Sequence, residues 1–164
     1  MAYAYKTMAS PVGTLTLVAS DKGLVAILWE NDDPRRVPLP ELVEAPDHAV
    51  LCEAGSQLGE YFTGKRTRFT VPLDFHGTDF QKSVWAALLQ IPFGETRSYA
   101  EIAHAIGNPA AIRAVGAANG RNPISIIAPC HRVIGSNGAL TGFAGGLPAK
   151  QHLLALENPQ RSLL

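Results

Sequence analysis

Polar and apolar residues alternate over Thr14–Ala19 (T-L-T-L-V-A), the period of two expected of a half-buried strand. A second β-rich run, Leu24–Trp29, follows the turn Asp21-Lys22-Gly23, and the two together predict a hairpin. Asn31–Pro46 is rich in proline and acid, lacks any period and reads as a surface loop. Leu51, Ala54, Leu58 and Tyr61/Phe62 then recur at helical spacing, with Gly64 placed to stop the helix. Arg68–Leu73 predicts one more strand. The first half is thus expected to be a small α/β unit over Thr14–Leu73. The boundary is expected at Asp74–Gly77, giving domains 1–76 and 77–164.

The second half has a helical texture. Phe80, Val84, Trp85, Leu88 and Leu89 form an amphipathic stripe that Pro92 ends. Ser98-Tyr99-Ala100-Glu101 is a capping box, in which the Ser98 hydroxyl accepts from the Glu101 N–H and the Glu101 side chain reaches back. That helix should stop at Gly107. Asn108, as N-cap before Pro109, predicts a second helix through Ala110–Gly116 to about Asn119. Two short helices so close together form a helix-turn-helix or a pair that only packs. The second is built of Ala, Gly and Val around one long cation, Arg113, a composition that permits close approach to a duplex or to another helix.

Charge refines this picture. The chain of 164 residues has 14 Lys+Arg against 14 Asp+Glu, which taken alone argues against a nucleic-acid partner. The average hides a split: residues 1–76 carry 7 basic and 10 acidic side chains, residues 77–164 carry 7 and 4. A polyanion would be drawn to the second half alone. Two cysteines build neither a disulfide framework nor a Cys-rich zinc site. No signal peptide is apparent in Met1–Ser10 and no stretch approaches a membrane span, so a soluble, cytoplasmic protein with reduced thiols is expected.

The candidate chemistry lies at Pro129-Cys130-His131-Arg132-Val133, after the apolar run Ile124–Ala128, which reads as a buried strand. A thiol attacks only as thiolate and needs a base or positive charge beside it. Cys130 has both, and Pro129 stiffens the approach; Cys52, in an amphipathic helix without such neighbours, reads as an inert, buried small hydrophobe. On an extended segment neighbouring side chains point apart, so His131 is expected to reach Cys130 through a water or a turn.

Asn122-Pro123-Ile124-Ser125-Ile126-Ile127-Ala128-Pro129-Cys130-His131-Arg132-Val133-Ile134 resembles the active-site signature of the O6-alkylguanine-DNA alkyltransferases. Arg113-Ala114-Val115-Gly116 resembles that family's recognition helix, and Gly94-Glu95-Thr96-Arg97-Ser98-Tyr99 the segment with its functional tyrosine. Phe143-Ala144-Gly145-Gly146-Leu147, Lys150 and Glu157 complete the pattern, which covers about residues 78–157.

The resemblance implies an α+β fold: a small N-terminal ribonuclease-H-like α/β domain followed by a winged helix-turn-helix C-terminal domain. It implies repair by direct, irreversible transfer of the alkyl group from O6-alkylguanine in duplex DNA to Cys130, with the base flipped out and the protein spent after one turnover. O4-alkylthymine is left open as a second substrate. By the same resemblance Glu157 orients His131, His131 deprotonates Cys130 through a water, and Tyr99 donates to the purine ring. Arg113 fills the gap left by the flipped base, with Ala114 beside it, and Asn122 braces the loop beneath the cysteine. Val133, Phe143, Ala144 and Lys150 are the remaining pocket candidates.

Phe143 stands where many members carry tyrosine and Ala144 where some carry serine, so any hydroxyl contribution there is missing. Some members hold zinc in the N-terminal domain, but Cys52 is the only cysteine before residue 77, so neither metal nor cofactor is expected. The expected partner is double-stranded DNA carrying O6-alkylguanine, met by a monomer without a membrane. Three rivals are set against this. A lesion-sensing relative would lack Cys130, and a Cys-His-Glu hydrolase would leave Arg113 without a task. A helix-turn-helix regulator would show more base-reading side chains than Ala-Ile-Arg-Ala-Val-Gly.

Overall fold

A computed structural model of the chain describes residues 2–138 and 140–159. Strands β1 (Tyr3–Met8), β2 (Leu15–Ala19), β3 (Leu24–Leu28) and β4 (Leu42–Glu44) form one sheet in the order β3-β2-β1-β4. The hairpin expected from the alternation is β2–β3, closed by a 2.9 Å bond from the Ser20 N–H to the Gly23 carbonyl. β1 lies antiparallel to β2, while β4 joins β1 in parallel, Tyr3 opposite Leu42. β4 falls inside the stretch read as a loop. It has three residues, mostly exposed, and exists by pairing with β1 rather than by any apolar period of its own.

The strand expected at Arg68–Leu73 does not form. One parallel bridge joins Leu73 to Leu24, flanked by 2.8 Å bonds from the Leu24 N–H to the Pro72 carbonyl and from the Asp74 N–H to the Leu24 carbonyl. Pro72 has no N–H to extend a ladder. Helix α1 (Ala49–Phe62) lays Leu51, Ala54, Leu58 and Tyr61 into a core with Leu15, Leu17, Leu24 and Ile27, while Cys52, expected to be buried, falls on its exposed face. It ends before Gly64, whose φ of 77° is the left-handed conformation that closes helices.

The second half carries α2 (Asp79–Leu88), β5 (Arg97–Ser98), α3 (Tyr99–Ala105), α4 (Ile112–Gly120), a single 3₁₀ turn at Cys130–Arg132, β6 (Val133–Ile134) and α5 (Leu147–Glu157). Capping boxes start α2, from Thr78 and Gln81, and α3, from Ser98 and Glu101. Val84, Trp85, Leu88, Ile102, Ala103, Val115 and Ala118 of α2–α4 form a second core, where the Trp85 indole donates to the Ala118 carbonyl at 2.8 Å.

The helix-turn-helix is α3–α4, with a longer link than expected. Asn108 does not cap α4, which begins at Ile112. Asn108–Ala111 is instead a turn, with the Ala111 N–H donating to the Asn108 carbonyl at 3.0 Å. Pro109 takes its second position, where a fixed φ suits a turn as well as it suits a helix.

Ile124–Ala128 is buried but is not a strand. Its one bridge joins Ile124 to Ile27, and the chain then folds tightly, with a 2.9 Å bond from the Ile127 N–H to the Ser125 carbonyl. Ile126 between them has φ 76°, a conformation a β-branched residue adopts only under strain, at a cost on the order of 1–3 kcal/mol. Burial of Ile124, Ile126 and Ile127 in the α1–sheet core offsets that cost, and Ala149 and Leu153 of α5 join the same core. Residues from both halves of the chain therefore share one apolar interior. Among the described residues no helix is long and apolar enough to cross a membrane.

Candidate active site

Cys130 opens the 3₁₀ turn and is 4% exposed, within the second core that also holds Val115, Val133 and the partly buried ring of Tyr99. The segment is a tight turn, not the extended run expected: the Cys130 N–H donates to the Ala128 carbonyl at 2.7 Å and the Arg132 N–H to that of Pro129 at 2.9 Å. Burial pushes the thiol up, opposed by hydrogen bonding from Asn122 and Ser125 and by the charges of Arg36 and Lys150. Left alone, the thiol is protonated and needs a base.

His131 is wholly buried, with Nε2 2.7 Å from Oε2 of Glu157. A carboxylate only accepts, so Nε2 carries the hydrogen and Nδ1 holds the free lone pair. Nδ1 is buried without a hydrogen-bond partner among the described residues. Burial lowers the affinity of the imidazole for a second proton, and Glu157 recovers only part of it, so the ring is a neutral base at physiological pH.

Glu157 ends α5 with 6% of its surface exposed. Burial would raise its pKa, but hydrogen bonds and charge from His131 and Arg132 hold it at about 2. Arg132 Nε donates to Oε1 at 2.7 Å and Nη2 to Oε2 at 3.0 Å, while Nη1 donates to the Ile91 carbonyl at 2.6 Å. Oε2 also accepts from the hydroxyl of Tyr61 at 2.5 Å.

The remaining candidates form a frame. Asn122 Nδ2 donates to the Ala128 carbonyl at 2.8 Å and Oδ1 accepts the Ile124 N–H at 3.1 Å, tying together the turn beneath the cysteine. Lys150 is buried and donates to the Val133 carbonyl at 2.7 Å, leaving that oxygen a second lone pair. Arg97 and Ser98 of β5 pair with Val133 and Ile134 of β6, which sets Tyr99 beside the cysteine segment. The Tyr99 hydroxyl meets that of Thr141.

Phe143 stands edge-on to Trp29 at 5.3 Å, and a Cβ at Gly145 would come within 2.6 Å of the same indole, so only glycine fits there. Ala144 lines an open cleft of about 600 Å³ with Gly116, Ala117, Arg35 and Arg36. Arg113 and Ala114 lie outside this frame, exposed on α4 with Ile112 and Ala117, and Ala110 is exposed in the turn before it.

Four participants escaped the sequence reading in these roles: Arg132 as the ion-pair partner of Glu157, Tyr61, Thr141 and Arg36. Arg36 donates to the Ile27 carbonyl at 3.0 Å and to the Asn122 carbonyl. Arg132 left a signal. Glu157 is the only acidic residue after Glu101, so a buried arginine in that stretch has one carboxylate in sequence to meet. Tyr61 left none, because its ring fits the apolar stripe of α1 and only the third dimension supplies a partner for its hydroxyl.

A β-sheet domain joined to a helix-turn-helix domain, with a buried Cys-His-Glu cluster against the second, defines a DNA-binding protein with a thiol centre. The match to known proteins is specific. The family model of the 6-O-methylguanine DNA methyltransferase ribonuclease-like domain matches residues 3–75, and that of the DNA-binding domain residues 79–159. The methylated-DNA–protein-cysteine methyltransferase of Mycobacterium tuberculosis is 52% identical over 155 residues, covering 93% of this chain and 91% of its own. That of Methanosarcina mazei is 51% identical over 154 residues, covering 93% and 96%. The structure of M. tuberculosis OGT in complex with DNA superposes with a TM-score of 0.87 at 48% identity, covering 98% of this chain and 94% of that one. The chain belongs to the methylated-DNA–protein-cysteine methyltransferase family.

Proposed function

We propose that the protein repairs duplex DNA by taking the alkyl group of O6-alkylguanine onto Cys130, once and irreversibly, as a monomer. The observation that carries this reading is the His131–Glu157 bond, which leaves Nδ1 as an unpartnered buried base one residue from a buried thiol. The identity to the M. tuberculosis and Methanosarcina methyltransferases over nine-tenths of the chain supports it.

The target base leaves the stack first, because its O6 substituent is out of reach inside the duplex; extrusion costs a few kcal/mol. Arg113, exposed on α4 beside Ile112, Ala114 and Ala117, fills the gap from the minor groove. The base is brought to Cys130 on the side where Tyr99 and Val133 pack against the thiol. The Cys130 proton passes to His131 Nδ1 through a water, and Glu157 stabilises the imidazolium, the logic of a hydrolytic triad. The Sγ–carbon bond forms as the carbon–O6 bond breaks, and Tyr99 donates to the purine ring as charge develops there. One proton leaves the thiol and one arrives on guanine, so the products are an S-alkylcysteine and an unmodified base. No step restores the thiol.

Mixing the protein with excess duplex containing one O6-methylguanine, followed by intact and peptide mass analysis, tests this. One methyl on the Cys130 peptide, guanine restored and no second turnover is the expected result. An unchanged protein mass overturns it.

A further inference from the structure

We propose that Tyr61 is a positioning residue for the transfer, by which the N-terminal domain holds the Glu157 carboxylate and sets how strongly it draws on His131. This rests on the reading of Cys130, His131 and Glu157 given above. Tyr61 lies in the last turn of α1, 1% exposed, among the rings of Phe62, Phe69 and Phe93 at 5.3, 5.5 and 6.3 Å. Phenylalanine would supply that packing equally well, so the hydroxyl needs its own explanation. It donates to Oε2 of Glu157 at 2.5 Å, the same oxygen that meets His131.

Charge balance is not the reason. Arg132 already neutralises the carboxylate with bonds to both oxygens, yet Oε2 carries three donors and Oε1 one. A third donor on Oε2 does two things. It fixes that oxygen along a direction set by α1, and it draws electron density from the atom that receives the His131 N–H. The Tyr61 bond therefore tempers the carboxylate and keeps the imidazole from becoming so basic that it stays protonated.

The other charged or titratable groups acting on His131 are Arg132 and Lys150, and those acting on Cys130 are Arg36 and Lys150; none of them touches Tyr61 by a hydrogen bond. Among the described residues Glu157 is thus the one hydrogen-bonded link from Tyr61 to the base, while Arg132 acts on both through its charge alone. Burial and the neighbouring carboxylate both push the Tyr61 hydroxyl up, so it donates throughout the working range and never titrates.

The test compares wild type with Tyr61→Phe in single-turnover transfer from an O6-methylguanine duplex as a function of pH. Beside it run a lesion-duplex Kd, a Tm and a ¹⁵N titration of the His131 ring. Losing the hydroxyl strengthens the pull of Glu157 on imidazolium. The acid limb of the rate profile and the His131 titration should therefore both move to higher pH by roughly half a unit or more, with Kd within about twofold. Incorporation of 3-fluorotyrosine at position 61 keeps ring and hydroxyl but makes a stronger donor, and should move both in the opposite direction; it also serves if Tyr61→Phe folds poorly. Profiles and titrations that superpose on wild type, whatever the Tm, overturn the inference. The ¹⁵N titration separates this from the functional reading: a protein that transfers nothing, yet whose His131 titration follows residue 61, loses the reading and keeps the Tyr61 link.

Discussion

The outer face of α4 and the turn at Cys130–Arg132 sit on one domain and obey opposite rules. The helix shows solvent the small residues Ala114 and Ala117 beside Ile112 and one long cation, Arg113. The turn hides every polar group it owns, and His131, Arg132, Lys150 and Glu157 are all buried. An exposed face can change what it touches without disturbing the fold. A buried cluster cannot, because removing one partner leaves the others charged in a low-dielectric interior. Binding and reaction should therefore separate under mutation, and stability should follow the reaction side alone.

Cys130→Ala puts the greatest strain on that division. It removes the nucleophile and a small sulfur but no charge, so transfer should vanish entirely while lesion-duplex Kd stays within a few fold. Mass analysis and fluorescence anisotropy read the two. Loss of binding together with loss of transfer would mean that the thiol also shapes the recognition surface, and the two regions would not be independent.

Glu157→Gln comes next. It keeps the volume and one acceptor oxygen, but strips the charge that Arg132 faces and sets a donor NH2 where a second oxygen met donors from Tyr61, His131 or Arg132. Breaking a buried pair from one side costs about 3–5 kcal/mol, and transfer should fall by roughly 10²–10⁴. The pH dependence has a definite sign. Glu157 is held at about 2 against an ordinary 4.5, so its contribution is full above pH 4.5 and is lost as pH falls towards 2. His131, buried neutral below its ordinary 6.5, adds a loss that begins as pH drops under 6.5. Wild type should therefore lose stability from about pH 6 downward, and the variant should lack the steep part below 4.5. Parallel acid unfolding curves would show that the carboxylate is not the group being protonated.

The same division explains what the sequence displays. Regular elements whose apolar period matches their geometry are legible: β2–β3, α1, α2 and the Ser98–Glu101 cap of α3 stand where the pattern puts them. Ile124–Ala128 misleads, since a run of buried apolar residues looks alike whether it is a strand or a strained turn. Here Asn122 and a left-handed Ile126 decide, and both act through backbone bonds that periodicity does not report. The Asn108 cap fails for a related reason, as Asn-Pro suits a turn and a helix start equally. At the site, Cys130, His131 and Glu157 were recognisable as a motif. Tyr61 and Arg36 were not, because each reaches the cluster from the other half of the chain and nothing local marks it.

Arg113→Ala tests the exposed side. Surface substitutions shift stability by no more than about 0.5 kcal/mol, so the Tm should hold. Without a side chain to fill the stack, extrusion loses part of its compensation, and transfer from duplex should slow by roughly 10- to 100-fold. Transfer from a free O6-alkylguanine base, which needs no extrusion, should change little. Equal losses with both substrates would place Arg113 in the chemistry and move it across the division.

Ser98→Ala should have the smallest effect and fixes where the line between the two regions runs. Ser98 belongs to both: its hydroxyl accepts the Glu101 N–H at 3.1 Å to start α3, and its backbone pairs with Ile134 in the strand that follows the cysteine turn. The substitution deletes only the first of these. The return bond, from the Ser98 N–H to Glu101 Oε1 at 2.8 Å, uses backbone and survives, as does the β5–β6 pairing. A lost cap costs about 1 kcal/mol, or roughly 2–4 °C in Tm for a protein of this size. Tyr99 is the first residue of the helix so capped, and its approach to the cysteine segment is set by β5 rather than by the cap. The single-turnover rate at saturating duplex should therefore change by less than about threefold while the Tm falls. A rate lowered tenfold with the Tm barely moved would show that the cap aims Tyr99, and that the start of α3 works with the buried cluster rather than with the recognition face.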